Sequence, residues 1–343
     1  GLYIKLNGFE HRVFISISEV HDSQEIFKTL HEKYLNIGIE NLDESIEEIR
    51  LAPVHSTFKN IFEGQDFEQI KKCLVLNPEQ TDCPHFDKIM NKYNLFINSL
   101  NDFTKKKIKI TDSLVIFMSS LNAIRNLNLY LKTVTGDEDK IVDDLTKNIL
   151  ISKSSNYSEN LFVVFLIYSL LSLKNENEKI FELINYFNLE KVIDELLMML
   201  GRGEFGVEKQ HNLIYAILDF YNKININNVK QKGEDSLESV FANYICDNMN
   251  EPHFDRFILI NEYENILYFS KERFEEIIDW FTTIILLKQI EHDIDNTASI
   301  ESSIMIFNKL NHKMKNLAVK SEYKLNSLID VLRFEYNKES GTI

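Results

Sequence analysis

The stretch that most constrains this chain is Phe257–Ile290, which from Lys271 onward, KERFEEIIDWFTTIILLKQI, carries the strongest helical pattern in the sequence. Phe274, Ile277, Ile278, Phe281 and Ile285 fall at i, i+3, i+4, i+7 and i+11, one stripe of a helical period. Glu272, Glu275, Glu276 and Asp279 lie off that stripe and crowd the first turns, where the helix dipole favours anions. Ser270 stands where an N-cap belongs, its hydroxyl able to accept an orphan N–H of the first turn. Beyond Thr283 the run Ile284–Leu287 is apolar on nearly every side, so other helices must cover it. A chain carrying such a segment has to be built around it.

The remaining composition supports long helices and short connections. Only ten Gly and four Pro occur in 343 residues, and these are the residues that punctuate turns and break helices. Hydrophobic residues at 44% and charged residues at 27% exclude wholesale disorder. The formal net charge of −15 repels phosphate, which argues against nucleic acid as a partner. Lys105-Lys106-Lys107 is the compact basic run, and it reads as a solvated turn before a helix. Three cysteines, odd in number and sparse, exclude a disulfide scaffold and favour a reducing compartment, so the expected location is cytoplasmic. Gly1 in place of Met reads as a start inside a longer protein.

Residues 2–20 alternate in the manner of a β-strand, with Val13, Ile15 and Ile17 on one side and Arg12, Phe14 and Ser16 on the other. Asn7-Gly8 suits a type I′ hairpin turn; the other reading is one bent strand of a sheet located elsewhere. No later segment reads as a second sheet. From His21 the period becomes helical, with Asp22-x-x-Glu25 and Asn41-x-x-Glu44 resembling capping boxes for helices near 24–35 and 42–51. Pro53 is expected to break the second of these, leaving a short helix to Phe62 that Gly64 ends. Further helices are expected over 66–75, 85–100, 112–132, 138–150, 176–187, 189–200, 208–223, 234–249, 300–318 and 322–338, with a loop over 76–84. Leu161–Leu173 is nearly all apolar but too short for a bilayer, which needs about 20 residues, and reads as a central buried helix. No fixed repeat period is present, so a solenoid is not supported. The fold expected is an all-α, irregular multi-helix bundle over 21–343, behind a β segment over 1–20.

Five features invite a chemical reading. Gly201-Arg202-Gly203-Glu204-Phe205-Gly206 matches the dinucleotide fingerprint G-x-G-x-x-G, which requires a strand before it and a helix after it. Here Val192, Leu196, Leu197 and Leu200 give the preceding segment a helical face, so the glycines read as a helix–helix connection. Cys73, Cys83 and His85 offer three metal-ligand types without paired knuckle spacing or a fourth partner, and Cys73 reads as a small core residue. The nine histidines show no paired spacing, and His55 reads as a packing or capping residue at a helix start. Acidic clusters at Asp43-Glu44 with Glu47-Glu48 and at Asp137-Glu138-Asp139 fit helix N-termini better than a carboxylate pair facing across a cleft. Asn156-Tyr157-Ser158 is a lone glycosylation sequon of a kind common by chance. These readings leave no catalytic, cofactor-binding or metal residue, and no cofactor.

Two regions resemble a known family. Residues 4–17, with Leu6, Phe9, Val13 and Phe14, resemble the closing strand of the β-sandwich that follows the catalytic barrel in α-amylase-type glycoside hydrolases. Leu30-His31, Ile37-Gly38-Ile39, Leu42-Asp43-Glu44 and Leu51-x-Pro53-Val54-His55 are similar to a long helical extension of some large bacterial members. So are Asn261-Glu262-Tyr263, Leu267-Tyr268-Phe269, Lys271-Glu272-x-Phe274-Glu275-Glu276 and Asp279-Trp280; Tyr268 stands where that pattern usually has Trp. The resemblance implies a non-catalytic accessory or interaction domain of an α-glucan-active protein. The family's catalytic carboxylates sit on barrel strands that this chain lacks, so none carries over and the chain itself is expected not to be an enzyme. The implied partner is the catalytic region of its own parent, with self-association through the N-terminal strand as a second contact. Neither nucleic acid nor membrane is expected as a partner. The alternatives are an independent all-α protein-binding scaffold unrelated to carbohydrate metabolism, or an all-α enzyme whose site is not legible in the sequence.

Overall fold

The computed structural model describes residues 5, 7–9, 11, 19–35, 37–75, 85–104, 110–134, 156–169, 180–201, 203–223, 234–292 and 297–336. Among them the chain forms fourteen helices and one two-stranded hairpin, an all-α fold as the sequence implies. The helices are α1 (Ile26–Lys33), α2 (Leu42–Phe62), α3 (Gln65–Val75), α4 (His85–Thr104), α5 (Ile110–Val134), α6 (Asn156–Ser169), α7 (Ile180–Tyr186), α8 (Leu189–Met199), α9 (Glu204–Lys223), α10 (Glu234–Asn248) and α11 (Pro252–Ile258). Strands β1 (Asn261–Tyr263) and β2 (Ile266–Tyr268) follow, then α12 (Lys271–His292), α13 (Thr297–Lys320) and α14 (Leu325–Tyr336). The β segment expected over 2–20 lies almost wholly outside the described residues, as do the Lys105–Lys107 run, the loop over 76–84 and the helix expected over 138–150.

The chain divides into two compact units, residues 1–53 and 54–343, and the division falls within α2. In the first unit, Asp22 accepts the backbone N–H of Ile26 at 2.7 Å and of Lys28 at 3.0 Å, tying off orphan donors at the start of α1. Asn41 accepts the N–H of Glu44 at 3.2 Å in the same way for α2. Lys33 meets Glu48 at 2.9 Å. The expected break at Pro53 does not occur: α2 runs through it. Proline inside a helix costs about 3 kcal/mol. Leu51, Val54, Phe58 and Ile61 share one face of the continuous helix and are all buried, at about 1.5–3 kcal/mol each, which outweighs the loss. Gly64 then ends the helix at φ +86, a left-handed conformation that residues with a Cβ rarely adopt.

In the second unit α12 is the axle. It packs against α13, α5, α9 and α11. Its predicted stripe is the buried one: Phe274, Ile277, Ile278, Phe281 and Ile285 are all within 1% of full burial. Phe281 sits at the centre of a ring cluster, stacked on Phe220 of α9 at 3.9 Å and meeting Tyr244 at 5.3 Å and Phe241 at 6.0 Å edge-on. The cap at Ser270 is present, its Oγ accepting the N–H of Arg273 at 3.4 Å. Leu161–Ile167 of α6 is buried on every side, as its uniform apolarity implies. A second aromatic cluster joins α4 and α5, where Tyr93 stacks on Phe117 at 4.8 Å and bonds Ser169 of α6 at 2.6 Å.

The sequence offers no second sheet, yet β1 and β2 form an antiparallel hairpin, with Asn261 opposite Tyr268 and Tyr263 opposite Ile266. The two turn residues, Glu264 and Asn265, both have positive φ, the backbone of a type I′ turn without the usual glycine. Only three residues per strand alternate, too few for a periodicity signal. Tertiary contacts hold the hairpin: Tyr268 bridges Lys324, the Phe269 N–H donates to the Tyr323 carbonyl at 3.1 Å, and the Ser270 N–H to that of Ile258 at 2.8 Å. The Tyr323 end of the α13–α14 turn therefore clamps the start of α12.

Truncating the axle tests this arrangement. Phe281→Ala removes a ring enclosed by three other helices and should lower the unfolding free energy by about 3–5 kcal/mol. Urea unfolding followed by circular dichroism measures it; a loss under about 1 kcal/mol would mean that the cluster relaxes into the space and α12 is not the organising element.

Candidate functional site

Helices α8, α9 and α11 enclose a cleft of about 460 Å³ lined by Glu190, Asp194, Met198, Glu204, Phe205, Val207, Glu208, His211, Asn212 and Arg256. Its walls follow from helical spacing. Glu190 and Asp194 stand one turn apart on α8, whose opposite face, Val192, Ile193, Leu196 and Leu197, is buried. Glu204, Glu208 and His211 repeat down the first three turns of α9. The fingerprint-like glycines form the lip between these helices. Gly201, at φ +79, closes α8 as its left-handed C′ residue, and Gly203 accepts the N–H of Val207 at 2.9 Å as α9 begins. A helix, not a strand, feeds the motif, so the phosphate-cradling geometry is absent and the helix–helix reading holds.

His211 organises the floor. Its Nδ1 donates to Asp194 Oδ1 at 2.6 Å, and its Nε2 lies 3.4 Å from Glu190 Oε1. The ring stacks on Tyr215, one turn further along α9, at 4.4 Å and 11°. Tyr215 stacks in turn on Phe181 of α7 at 5.6 Å, and His253 of α11 leans on Tyr215 at 4.5 Å. Asn212 donates its amide to the Glu208 carbonyl at 2.9 Å, which points its Oδ1 at His253 Nδ1, 3.1 Å away. That oxygen only accepts, so His253 carries its proton on Nδ1 and keeps a lone pair on Nε2. Burial, with His211 and Arg256 nearby, pushes the His253 pKa down from 6.5 to about 4. Tyr215 is 3% exposed, yet its hydroxyl has no hydrogen-bond partner among the described residues. Burial and the charges of Glu190 and Asp194 raise its pKa far above the usual phenol value.

Electrostatically the cleft is lopsided: four carboxylates face Arg256 and one imidazole. Two of the lining residues are exposed apolar side chains, Met198 at 55% and Phe205 at 89%. Sequence reasoning missed this constellation because each helix read alone is an ordinary amphipathic segment. The available signal was the pair of i, i+4 acids on α8 next to a helix with histidine and tyrosine at i, i+4, and that signal is weak without knowing which faces meet.

A second group of titratable side chains is buried between α5, α6, α9 and α12. The Lys288 ammonium donates to the Tyr221 carbonyl at 2.5 Å and lies 3.7 Å above the Tyr221 ring and 5.2 Å from that of Tyr168. Tyr221 is in the last turn of α9, so this cation satisfies an orphan carbonyl and complements the helix dipole. Glu291, one turn further along α12, accepts from Ser120 Oγ at 2.5 Å and from the Tyr221 hydroxyl at 3.4 Å. Burial lowers the Lys288 pKa to about 8 and raises that of Glu291. Lys288 caps the last turn of α9, and Glu291 accepts from Ser120 and Tyr221, so the cluster reads as a helix cap.

The residues singled out in the sequence do not assemble. His85 pairs with Asp66 at 2.9 Å, Cys73 is half-buried on α3, and Cys83 lies outside the described residues. His55 donates Nε2–H to the Phe187 carbonyl at 2.8 Å, and burial lowers its pKa. Asp43 and Glu44 occupy the first turn of α2; Asp137–Asp139 lie outside the described residues. Among the described residues no group of three or more His, Cys, Asp or Glu side chains is placed to hold a metal ion, and no helix is long and apolar enough to cross a membrane. Compared with family models, with curated proteins and with solved structures, the chain matches none.

The depressed His253 pKa sets a pH dependence. Between about pH 6.5 and 4 an unfolded chain takes up a proton at this ring that the folded chain refuses. The stability due to neutral His253 is therefore complete above pH 6.5 and is lost as pH falls through 4. His253→Gln, which keeps an amide able to donate to Asn212, should flatten the fall in melting temperature over that window relative to the parent chain. Parallel curves would show that His253 is not held neutral.

Proposed function

We propose that this chain is a non-catalytic interaction domain and that it docks a partner polypeptide on the face formed by α8, α9 and α11. The observation that carries this is the acidic cleft lined by His211 and by the exposed side chains of Met198 and Phe205. Bulky apolar side chains exposed together beside a group of carboxylates are features of a recognition surface and serve no purpose in the core. The occupant fitted to it is a segment with apolar side chains beside a basic one, by charge complementarity. In the fuller form of this reading the parent is an α-glucan-active protein, the segment belongs to its catalytic region, and the compartment is the cytoplasm. That form rests on the resemblance of Asn261–Tyr263, Leu267–Phe269 and the first turns of α12 to the amylase-associated helical extension. A free-standing all-α scaffold would use the face in the same way.

Two measurements bear on it. Peptides selected on the chain from a random displayed library should lose about tenfold or more in affinity for the Met198→Asp, Phe205→Asp double variant, whose exposed positions leave helicity unchanged. A selection that enriches nothing, or peptides indifferent to the double variant, would overturn the docking reading. Separately, the chain should release no reducing sugar from soluble starch above a buffer blank; release by a preparation free of host amylase would overturn the non-catalytic assignment.

A further inference from the structure

We propose that α2 is jointed at Pro53, and that α1 with the first half of α2 swings as an arm about that joint. Three features of the helix carry this. The first is a change of apolar face. In the half before the proline, Leu42, Ile46 and Ile49 fall at i, i+4 and i+7, one helical stripe. In the other half the stripe is Leu51, Val54, Phe58 and Ile61. At about 100° per residue the two stripes point about 130° apart around the helix axis. A helix laid along a single core keeps its stripe in phase. The halves also differ in burial: no residue from Leu42 to Arg50 is buried, whereas Leu51, Val54, Phe58, Ile61 and Phe62 all are.

The second feature is a deleted bond. Proline has no N–H, so the bond from residue 53 to the Ile49 carbonyl cannot form. The turn over 49–53 is the one in which the apolar face changes, and the division between the two compact units falls at its end. The helix holds through this turn with one backbone bond fewer than an ordinary turn has, and proline is where helices bend. Ala52 and Pro53 are exposed, so side-chain packing does not enclose the ring. The third feature is where each half is fastened. Ahead of the joint, Glu48 meets Lys33 of α1 at 2.9 Å. Beyond it, His55 reaches the Phe187 carbonyl at 2.8 Å, Thr57 bonds Ser99 of α4 at 2.8 Å, and Lys59 pairs with Glu195 of α8. A bend at Pro53 breaks none of these four contacts. Hinges take this form, a few residues that absorb the change in backbone angles while the elements on either side stay intact.

Distances between spin labels on the whole chain test the joint. Keto-reactive labels on an introduced non-natural residue leave the native cysteines alone. One pair goes on exposed Glu32 of α1 and exposed Asp102 of α4, and a second pair, inside the arm, on Glu32 and exposed Glu47 of α2. By double electron–electron resonance the first pair should give a broad distance distribution and the second a narrow one. Pro53→Ala restores the N–H and, at an exposed position, removes no packing; it should narrow the first distribution by about half and leave the second unchanged. A narrow first distribution in the parent chain, equal widths in the parent and Pro53→Ala, or a broad distribution inside the arm overturns the proposal.

Discussion

The structure of the larger unit depends on the burial of α12, and within α12 on Phe281. Stacked on Phe220 and bracketed by Tyr244 and Phe241, this ring joins α12 to α9 and α10 at one point. Because interiors are close-packed, fixing it fixes the rotation of α9 about its own axis. That rotation turns Leu213, Ile217 and Phe220 inward and leaves Glu204, Glu208 and His211 on the open side, against α8 and α11. The candidate site is thus the outer face of a helix whose inner face is the core.

Polar groups pin the same axle at its ends. At the N-terminal end, backbone bonds from Ser270 and Phe269 tie α12 to the close of α11 and to the α13–α14 turn. Near the C-terminal end, Lys288 caps the last turn of α9. Between them the acids off the apolar stripe meet cations on neighbouring helices: Glu276 with Lys209 at 2.7 Å, and Asp279 with Lys315 at 2.5 Å and with the Asn311 amide at 2.7 Å. Partly exposed pairs of this kind add little stability each, but they bias which helix lies beside which.

This pairing gives the cleft its meaning. A net charge of −15 must leave carboxylates over, and those on α12 are largely paired. At the cleft the surplus is gathered beside the exposed side chains of Met198 and Phe205. The neutral His253 and the fixed Asn212 amide keep the floor in one arrangement, so the site is set before a ligand arrives.

The sequence alone determined the class of fold and the buried faces of α12 and α8, because a 3.6-residue apolar stripe must be covered whichever neighbour does so. It also determined that the glycines at 201–206 join two helices, since the segment feeding them is amphipathic with helical spacing. Tertiary structure alone decided the rest. Pro53 sits inside a continuous helix because burial along α2 outweighs one missing hydrogen bond. A hairpin of three-residue strands exists because the α13–α14 turn holds it, which no local periodicity could signal. The cleft required knowing that the Glu190–Asp194 edge of α8 faces the His211 edge of α9, residues separated along the chain by a turn and brought together by helix rotation. Local pattern records which side of a helix avoids water; only packing records which polar sides meet.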